Sequence, residues 1–257
     1  MPTIATWNVN SINARLPNIL GWLQATKPDI VLLQEIKCQD AAFPAEAVGD
    51  LGYNVAVHGQ KSYNGVAILS LRPLEDVVRG LPGDPADEQA RYIEAGVDGL
   101  RVASIYLPNG NPIGTEKFAY KLAWMERLRV HAASLLEQDE AVVLGGDYNV
   151  IPEPIDCHDP NAWLGDALFQ PESRRAFRAL LHLGLTEAFR ALHLEERAYT
   201  FWDYQRGAFQ LDHGIRIDHL LLSPQAADRL VGCTIDKDPR RQPKASDHTP
   251  IMVELQG

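Results

Sequence analysis

Ala141-Val142-Val143-Leu144-Gly145-Gly146-Asp147-Tyr148-Asn149 is a short apolar run that meets two glycines and then two polar side chains two positions apart. An apolar run of that length reads as a strand buried on both faces. Two glycines at its exit permit a sharp turn and a close approach of substrate to the backbone. If the extended conformation persists, Asp147 and Asn149 leave the same face and aim an acid and an amide at one point. Asp and Asn after Gly are also ordinary turn residues that bond to their own backbone. What gives the stretch its weight is company, because several other strands end in a similar polar cluster.

Outward from this strand the chain alternates strands with a few helices. Strands are expected at 2–7, 29–34, 53–58, 65–70, 91–98, 100–106, 141–146, near 198–202, at 216–222 and at 250–255. Helices are expected at about 13–26, 116–138 and 172–183. The longest has Phe118, Leu122, Met125, Leu128 and Leu135 at mixed three and four spacings, which make one buried stripe. Strands outnumber helices and many are joined by short loops. The pattern is an α/β (α+β) arrangement of two packed sheets with helices outside, not a simple doubly wound sheet. No repeat or linker divides residues 1–257, which read as a single domain.

The composition excludes several classes. Hydrophobic residues make up 46% and charged residues 23%, ordinary for a soluble protein, and no apolar run is long enough to cross a bilayer. The start, Met1 to Trp7, lacks the basic and apolar regions of a secretory signal, so a cytoplasmic monomer without membrane contact is expected. Cys38, Cys157 and Cys233 are odd in number and widely spaced, which indicates neither a disulfide framework nor a zinc site. A net charge of -10 argues against a protein coated in positive charge, yet acids gathered in a divalent-metal site remain compatible with phosphate binding. The acidic loop Asp84 to Glu88 reads as solvated.

Four more strand ends resemble the first: Trp7-Asn8-Val9-Asn10, Leu33-Gln34-Glu35-Ile36-Lys37, Arg216-Ile217-Asp218-His219 and Ser246-Asp247-His248-Thr249. Each has a plain alternative. Asn8 and Asn10 can cap the following helix, Glu35 can pair with Lys37, and Ser246-Asp247 can form a turn. Asp218 is harder to explain that way, because an acid within a buried strand needs a histidine or a metal to offset its desolvation. Together these residues supply what metal-assisted phosphodiester hydrolysis needs. Carboxylates hold a hard cation such as Mg2+, a second acid orients water, and amides with a histidine stabilise charge on the phosphoryl oxygens. Neither GxSxG nor a Walker A loop is present.

With Tyr106-Leu107-Pro108-Asn109-Gly110 added, these motifs resemble, in order and over nearly the whole chain, the exonuclease III family. That family comprises the class II abasic-site endonucleases of the DNase I-like endonuclease, exonuclease and phosphatase superfamily. The resemblance implies a four-layer sandwich, two mixed sheets face to face with helices on both outer surfaces. It implies Glu35 as principal metal ligand with Asn8, Asn10 and Asp247 beside it, binding Mg2+ or, in substitution, Mn2+. Asp147 would activate water, Asn149 and His248 would contact the phosphate, Asp218 would fix the His248 ring, and Tyr106 would stabilise the transition state. DNA phosphates would meet Asn109, Arg91, Lys121 and Arg216. An apolar pocket from Phe201, Trp202, Ile215 and Ile217 would accept a flipped baseless sugar. The implied substrate is duplex DNA with abasic sites or 3' ends. The alternatives are a phosphatase of inositol phosphates or sphingolipids, and a DNA-binding protein without catalysis. Asp156-Cys157-His158-Asp159 lies in a proline-rich loop, and His131, His182 and His193 lie on expected helices; none is assigned to the site.

Overall fold

A computed structural model describes residues 1–257. Its strands are β1 (Thr3–Asn8), β2 (Ile30–Gln34), β3 (Asn54–His58), β4 (Val66–Ser70), β5 (Glu75–Arg79), β6 (Tyr92–Val97), β7 (Leu100–Tyr106), β8 (Ala141–Asp147), β9 (Thr186–Glu187), β10 (Asp218–Leu222), β11 (Leu230–Ile235) and β12 (Ile251–Leu255). Its helices are α1 (Leu16–Thr26), α2 (Ala45–Gly49), α3 (Glu116–Leu136), α4 (Pro171–Leu181), α5 (Ala188–Leu192) and α6 (Pro224–Ala227).

Two six-stranded sheets form, in the orders β11-β12-β1-β2-β4-β3 and β5-β6-β7-β8-β10-β9. Each is mixed: β1 runs parallel to β2 and β7 parallel to β8, while the other neighbours are antiparallel. Those two parallel pairs are the ones bridged by long helices, α1 and α3, as a parallel crossover requires.

Alternation along each strand sorts the side chains into layers. Ile4, Ile30, Leu32, Val102, Val143 and Leu220 point between the sheets and share the inner core. Ala5, Trp7, Val31 and Leu33 face the other way and pack on Ile19, Trp22 and Leu23 of α1. Ala103, Ile105, Val142 and Leu144 face α3 and α4, meeting Trp124, Met125, Leu128 and Phe177. The result is the four-layer sandwich, helices outside and two sheets within.

Gly145 and Gly146 do not turn the chain; β8 runs straight through them to Asp147. Their value is closeness. A Cβ on Gly145 would lie 2.6 Å from Leu32 Cδ1 and 2.7 Å from Leu220 Cδ2, and one on Gly146 would lie 2.0 Å from the Ile105 carbonyl oxygen. Leu32 of the opposing sheet and the flanking strands β7 and β10 press on β8 where the strand approaches the site.

Other boundaries moved for physical reasons. The expected strand at 198–202 is only a bridge, Phe201 pairing with Ile215 and His248, and the strand expected from 216 begins at Asp218. Arg216 instead leaves the ladder to reach buried acids. Strands β5, β9 and β11 were not expected; β5 is exposed and charged along most of its length, β9 is two residues long, and β11 mixes exposed and half-buried positions. In the expected stripe of α3, Phe118 and Leu122 are only half-buried, while Lys121 and Trp124 are sealed.

Candidate active site

The inner layer turns polar toward one end of the sandwich. Gln34 Nε2 donates to Thr6 Oγ1 at 3.0 Å and to Ser104 Oγ at 2.9 Å, a fully buried and satisfied bridge between the sheets. Immediately beyond it lies the last rung. Tyr106, Asp147 and Asp218 are direct cross-strand neighbours in one sheet, and Asn8 stands beside Gln34 in the other. All four continue the inward-facing register of their strands, so one parity rule delivers them to a single place.

Two carboxylates directly opposite each other on adjacent strands repel. His248 relieves the repulsion. Its Nδ1 lies 2.8 Å from Asp218 Oδ2 and its Nε2 3.8 Å from Asp147 Oδ2. Burial alone would lower the His248 pKa, but Asp218 and then Asp147 hold it up at about 10, so the ring is an imidazolium. Its backbone is fixed as well, the His248 carbonyl accepting from Trp7 Nε1 at 3.2 Å. Asp147 is pushed in the opposite sense for an acid: burial raises it to about 7 against the pull of His248, with Asp218 adding to the rise. A carboxyl raised toward neutrality can exchange a proton with water.

Asn8 joins this acid to the next one. Its Nδ2 donates to Asp147 Oδ2 and to Glu35 Oε1, each at 2.9 Å, while its Oδ1 accepts from the Asn10 amide at 3.0 Å. Burial pushes Glu35 up, but the hydrogen bonds from Asn8 and Lys37 outweigh it and hold the carboxyl below its usual range. Glu35, Asn10 and Asn149 all take positive φ, of 49°, 44° and 47°. Left-handed backbone at non-glycine residues is uncommon, and its clustering here is a mark of a functional site.

The Glu35–Lys37 pair that the sequence allows is present. Lys37 Nζ sits 2.8 Å from Glu35 Oε2 and 2.6 Å from Asn10 Oδ1, a cation between two oxygen donors. Asn10 Nδ2 in turn reaches Asp247 Oδ1 at 3.0 Å. An oxygen-only set of this kind fits a hard divalent cation and lacks the sulfur that zinc or copper sites favour. A second grouping of donor atoms, from Asp147, Asp218 and His248, falls within 4.8 Å. That trio is a poorer cation site, because an imidazolium has no lone pair to offer and its Nδ1 is committed to Asp218.

The phosphate side is built from β7 and the loops after β7 and β8. Asn149 Nδ2 donates to the Leu107 carbonyl at 2.9 Å, and its Oδ1 accepts from Asn109 Nδ2 at 3.1 Å. Burial, then the Glu35 and Asp147 carboxylates, raise the Tyr106 phenol well above its ordinary range, so it remains a donor. The Arg91 guanidinium stacks over its ring, 4.7 Å from the centroid.

The arrangement has relatives. The sequence model of the endonuclease/exonuclease/phosphatase family matches residues 5–248. The exodeoxyribonuclease III of Haemophilus influenzae is 34% identical, spanning 97% of this chain and 98% of that protein. The chain belongs to this family, in its exonuclease III group. An AP endonuclease from Archaeoglobus fulgidus superposes over all of both chains with a TM-score of 0.97 at 41% identity. A 3' phosphatase from Neisseria, solved bound to a product DNA hairpin, superposes over all of both chains with a TM-score of 0.98 at 40% identity. This exonuclease III relative is a hydrolytic phosphodiesterase of the nuclease type, and its family is metal-dependent.

The site gathers Asn8, Asn10, Glu35, Tyr106, Asn109, Asp147, Asn149, Asp218, Asp247 and His248, with Arg91 at its edge. Five other residues expected at the site are buried. Lys121 is sealed and cannot contact DNA; its Nζ donates to the carbonyls of Asn109 at 3.0 Å and Asn149 at 2.5 Å, and burial brings its pKa down to about 7. Gly110 makes the room, since a Cβ there would lie 2.6 Å from Lys121 Cδ. Arg216 is likewise 1% exposed, held by Asp156 and Glu187 at 2.9 and 2.7 Å. Trp202 is fully buried with Nε1 on Asp212, so it supports the loop after it and lines no pocket. Ile215 and Ile217 are also closed over, packed with Ile151, Cys157, Leu168 and Phe169, and only Phe201 and Trp163 at the edge of that cluster remain half-buried. Ile215 and Ile217 are each 2% exposed, so Phe201 is the one residue of the expected baseless-sugar pocket that keeps appreciable exposed surface.

Three smaller readings resolve. Asp87 in the acidic loop is not simply solvated, since it accepts from Tyr120 and pairs with Arg127 at 2.7 Å. Asp156 is spent on Arg216 and Arg190, and His158 stacks on His213, so that loop assembles no metal site. His131 and His193 are satisfied by Glu94 and the Cys233 carbonyl. Thr200 is a supporting residue that the sequence pattern did not flag; its Oγ1 accepts from the Ile217 and Asp218 amides at 3.2 Å each and fixes the start of β10. No periodicity or motif marks a lone buried threonine.

Proposed function

We propose that this protein is a Mg2+-dependent phosphodiesterase of duplex DNA that removes nucleotides or blocking groups from 3' ends and incises 5' of abasic sites. The observation that carries the reading is Asp147, a buried acid of raised pKa bridged by Asn8 to Glu35 and faced by an imidazolium. Both activities use one reaction: water attacks phosphorus, the bond from phosphorus to the 3' oxygen breaks, and a 3' hydroxyl is left. Asp147 takes the proton of the attacking water. His248, oriented by Asp218, donates to the phosphoryl oxygens together with Asn149 and Tyr106. Glu35, Asn8 and Asn10, with Asp247 alongside, would hold the metal, which when bound neutralises charge on the phosphate; Mn2+ suits the same oxygen donors.

The burial of Ile215 and Ile217 ranks the two activities. Abasic incision needs a flipped sugar to rest on an apolar surface, and these two residues are each only 2% exposed. Hydrolysis at a 3' terminus carries no such requirement. We therefore take 3'-end processing as the principal activity and abasic incision as the second. The relatives named 3' phosphatase and AP endonuclease support one each. Three free, buried cysteines accord with a reducing compartment such as the cytoplasm.

The test uses three labelled duplexes, with a recessed 3' phosphate, a recessed 3' hydroxyl and an internal abasic analogue, each with Mg2+, Mn2+ or EDTA. Metal-dependent hydrolysis is expected, fastest at the 3' termini. Absence of EDTA-sensitive cleavage on all three would sink the proposal, and a faster abasic reaction would reverse the ranking. Turnover of a soluble inositol phosphate in place of DNA would favour the rival phosphatase reading.

A further inference from the structure

The active site gathers Glu35, Asp147, Asp218 and Asp247, and the whole chain carries a net charge of -10. A polyanion approaching such a site is repelled unless cations flank it. One flank supplies them. Beside Asn10, a cleft of about 380 Å³ between the start of α1, Tyr204 and the segment 240–245 is lined by Arg15, Arg240 and Lys244.

Resting on the DNA phosphodiesterase reading above, we propose that this cleft binds one backbone phosphate of the substrate strand, beyond the linkage that is cleaved. Two observations carry the assignment. First, none of the three cations forms an ion pair, whereas their neighbour Arg241 pairs with Asp238, and the deeper Arg216, Arg190 and Arg127 are all paired. Second, the two guanidinium groups are held in place by neutral partners. Arg15 donates from Nη1 to the Asn10 carbonyl at 2.6 Å and from Nη2 to the Tyr204 hydroxyl at 3.2 Å. Arg240 lies over the Tyr204 and Phe209 rings, at 5.3 and 5.0 Å, and donates to the Trp202 carbonyl at 3.2 Å.

Guanidinium groups held in place without an ion-pair partner are stabilised by an anion. Forked guanidinium groups with an ammonium at the rim match the several oxygens of a phosphate. The cleft is tied to the metal-binding side of the site through Asn10, while Asn109, Asn149 and Tyr106 stand on the other sheet. The scissile phosphate is thus met from one sheet and a neighbouring phosphate of the same strand from the other.

The test is a scan in which each phosphate of a 3'-phosphate-ended duplex is replaced singly by a neutral methylphosphonate. Wild type and the variant Arg15→Gln/Lys244→Gln are compared with Mg2+ over a KCl series. At one linkage other than the scissile one, the replacement is expected to raise the wild-type KM about tenfold and the variant KM less than twofold. The slope of log kcat/KM against log salt is expected to be shallower by roughly 0.9 in the variant, the value for one phosphate contact. Lys244→Gln alone, an exposed change that leaves the fold intact, is expected to show the same coupling at about threefold. Equal losses in wild type and variants at every linkage, with an unchanged salt slope, would overturn the site. Failure of wild type to cut the unmodified duplex would instead remove the function on which the site rests.

Discussion

Asp218→Asn removes one negative charge from beside His248 without changing the size of the side chain. Asp218 Oδ2 lies 2.8 Å from His248 Nδ1, both groups are buried, and Asp218 is the foremost of the charges that hold the ring at about 10 against the downward push of burial. A hydrogen bond to a charged group contributes roughly 1.5–3 kcal/mol, and at about 1.4 kcal/mol per pKa unit its loss lowers the His248 pKa by about 1–2 units. Because the folded-state pKa is raised, the imidazolium is complete well below it and is lost as pH rises through it. Wild-type kcat/KM is therefore expected to hold on the basic side until pH approaches about 10. In Asp218→Asn the basic limb moves down by about 1–2 pH units, and the rate on its plateau falls roughly thirtyfold, the equivalent of about 2 kcal/mol. Release of phosphate from a 3'-phosphate duplex across pH, with an NMR titration of the ring, measures both. A basic limb that stays in place, or a plateau within twofold of wild type, would refute the pairing as the source of the charge.

Glu187 contributes to stability rather than to chemistry. Burial opposes its charge, but Arg216 and then His219 outweigh it and bring the carboxyl down to about 2, below its ordinary 4.5. Its depressed pKa means that the stabilisation is complete above about pH 4.5 and is lost as pH falls toward 2; Glu187→Gln is expected to lower the urea unfolding free energy by about 3 kcal/mol at neutral pH and to flatten that acid dependence. Gly145→Ala places a Cβ 2.6 Å from Leu32 Cδ1, so overpacking of about 1–3 kcal/mol is expected as a lowered Tm; an unchanged Tm contradicts the close approach of the sheets. Glu35→Gln is expected to raise the Mg2+ concentration for half-maximal rate by at least about tenfold, read from metal titrations of turnover; an unaltered requirement removes Glu35 from the metal site.

Most of the fold was legible because its strands follow simple rules. β2, β4, β7 and β8 are apolar runs bounded by polar residues, and parity along them predicts which residues meet. The same parity made the site readable, since Asn8, Tyr106, Asp147 and Asp218 all extend the inward face of a strand. What stayed hidden depended on long-range partners. Lys121 and Arg216 look like surface charges until the structure shows two carbonyls and two buried acids waiting for them. The packing of Leu168 in one cluster with Ile215 and Ile217 joins residues almost 50 positions apart, which no local pattern reports. Gly145 and Gly146 were read as a turn because local sequence cannot reveal Leu32 of the opposing sheet or Ile105 of the neighbouring strand.

The central claim is that Asp147 activates the water while the residues around it hold the phosphate. Its most direct test is single-turnover hydrolysis of a 3'-phosphate duplex by Asp147→Asn, with DNA binding followed by fluorescence anisotropy on the same duplex. The account predicts a rate lower by about 10²–10⁴, the usual contribution of a general base, with affinity within a few-fold of wild type. A near-normal single-turnover rate, or a loss that lies entirely in affinity, would contradict it.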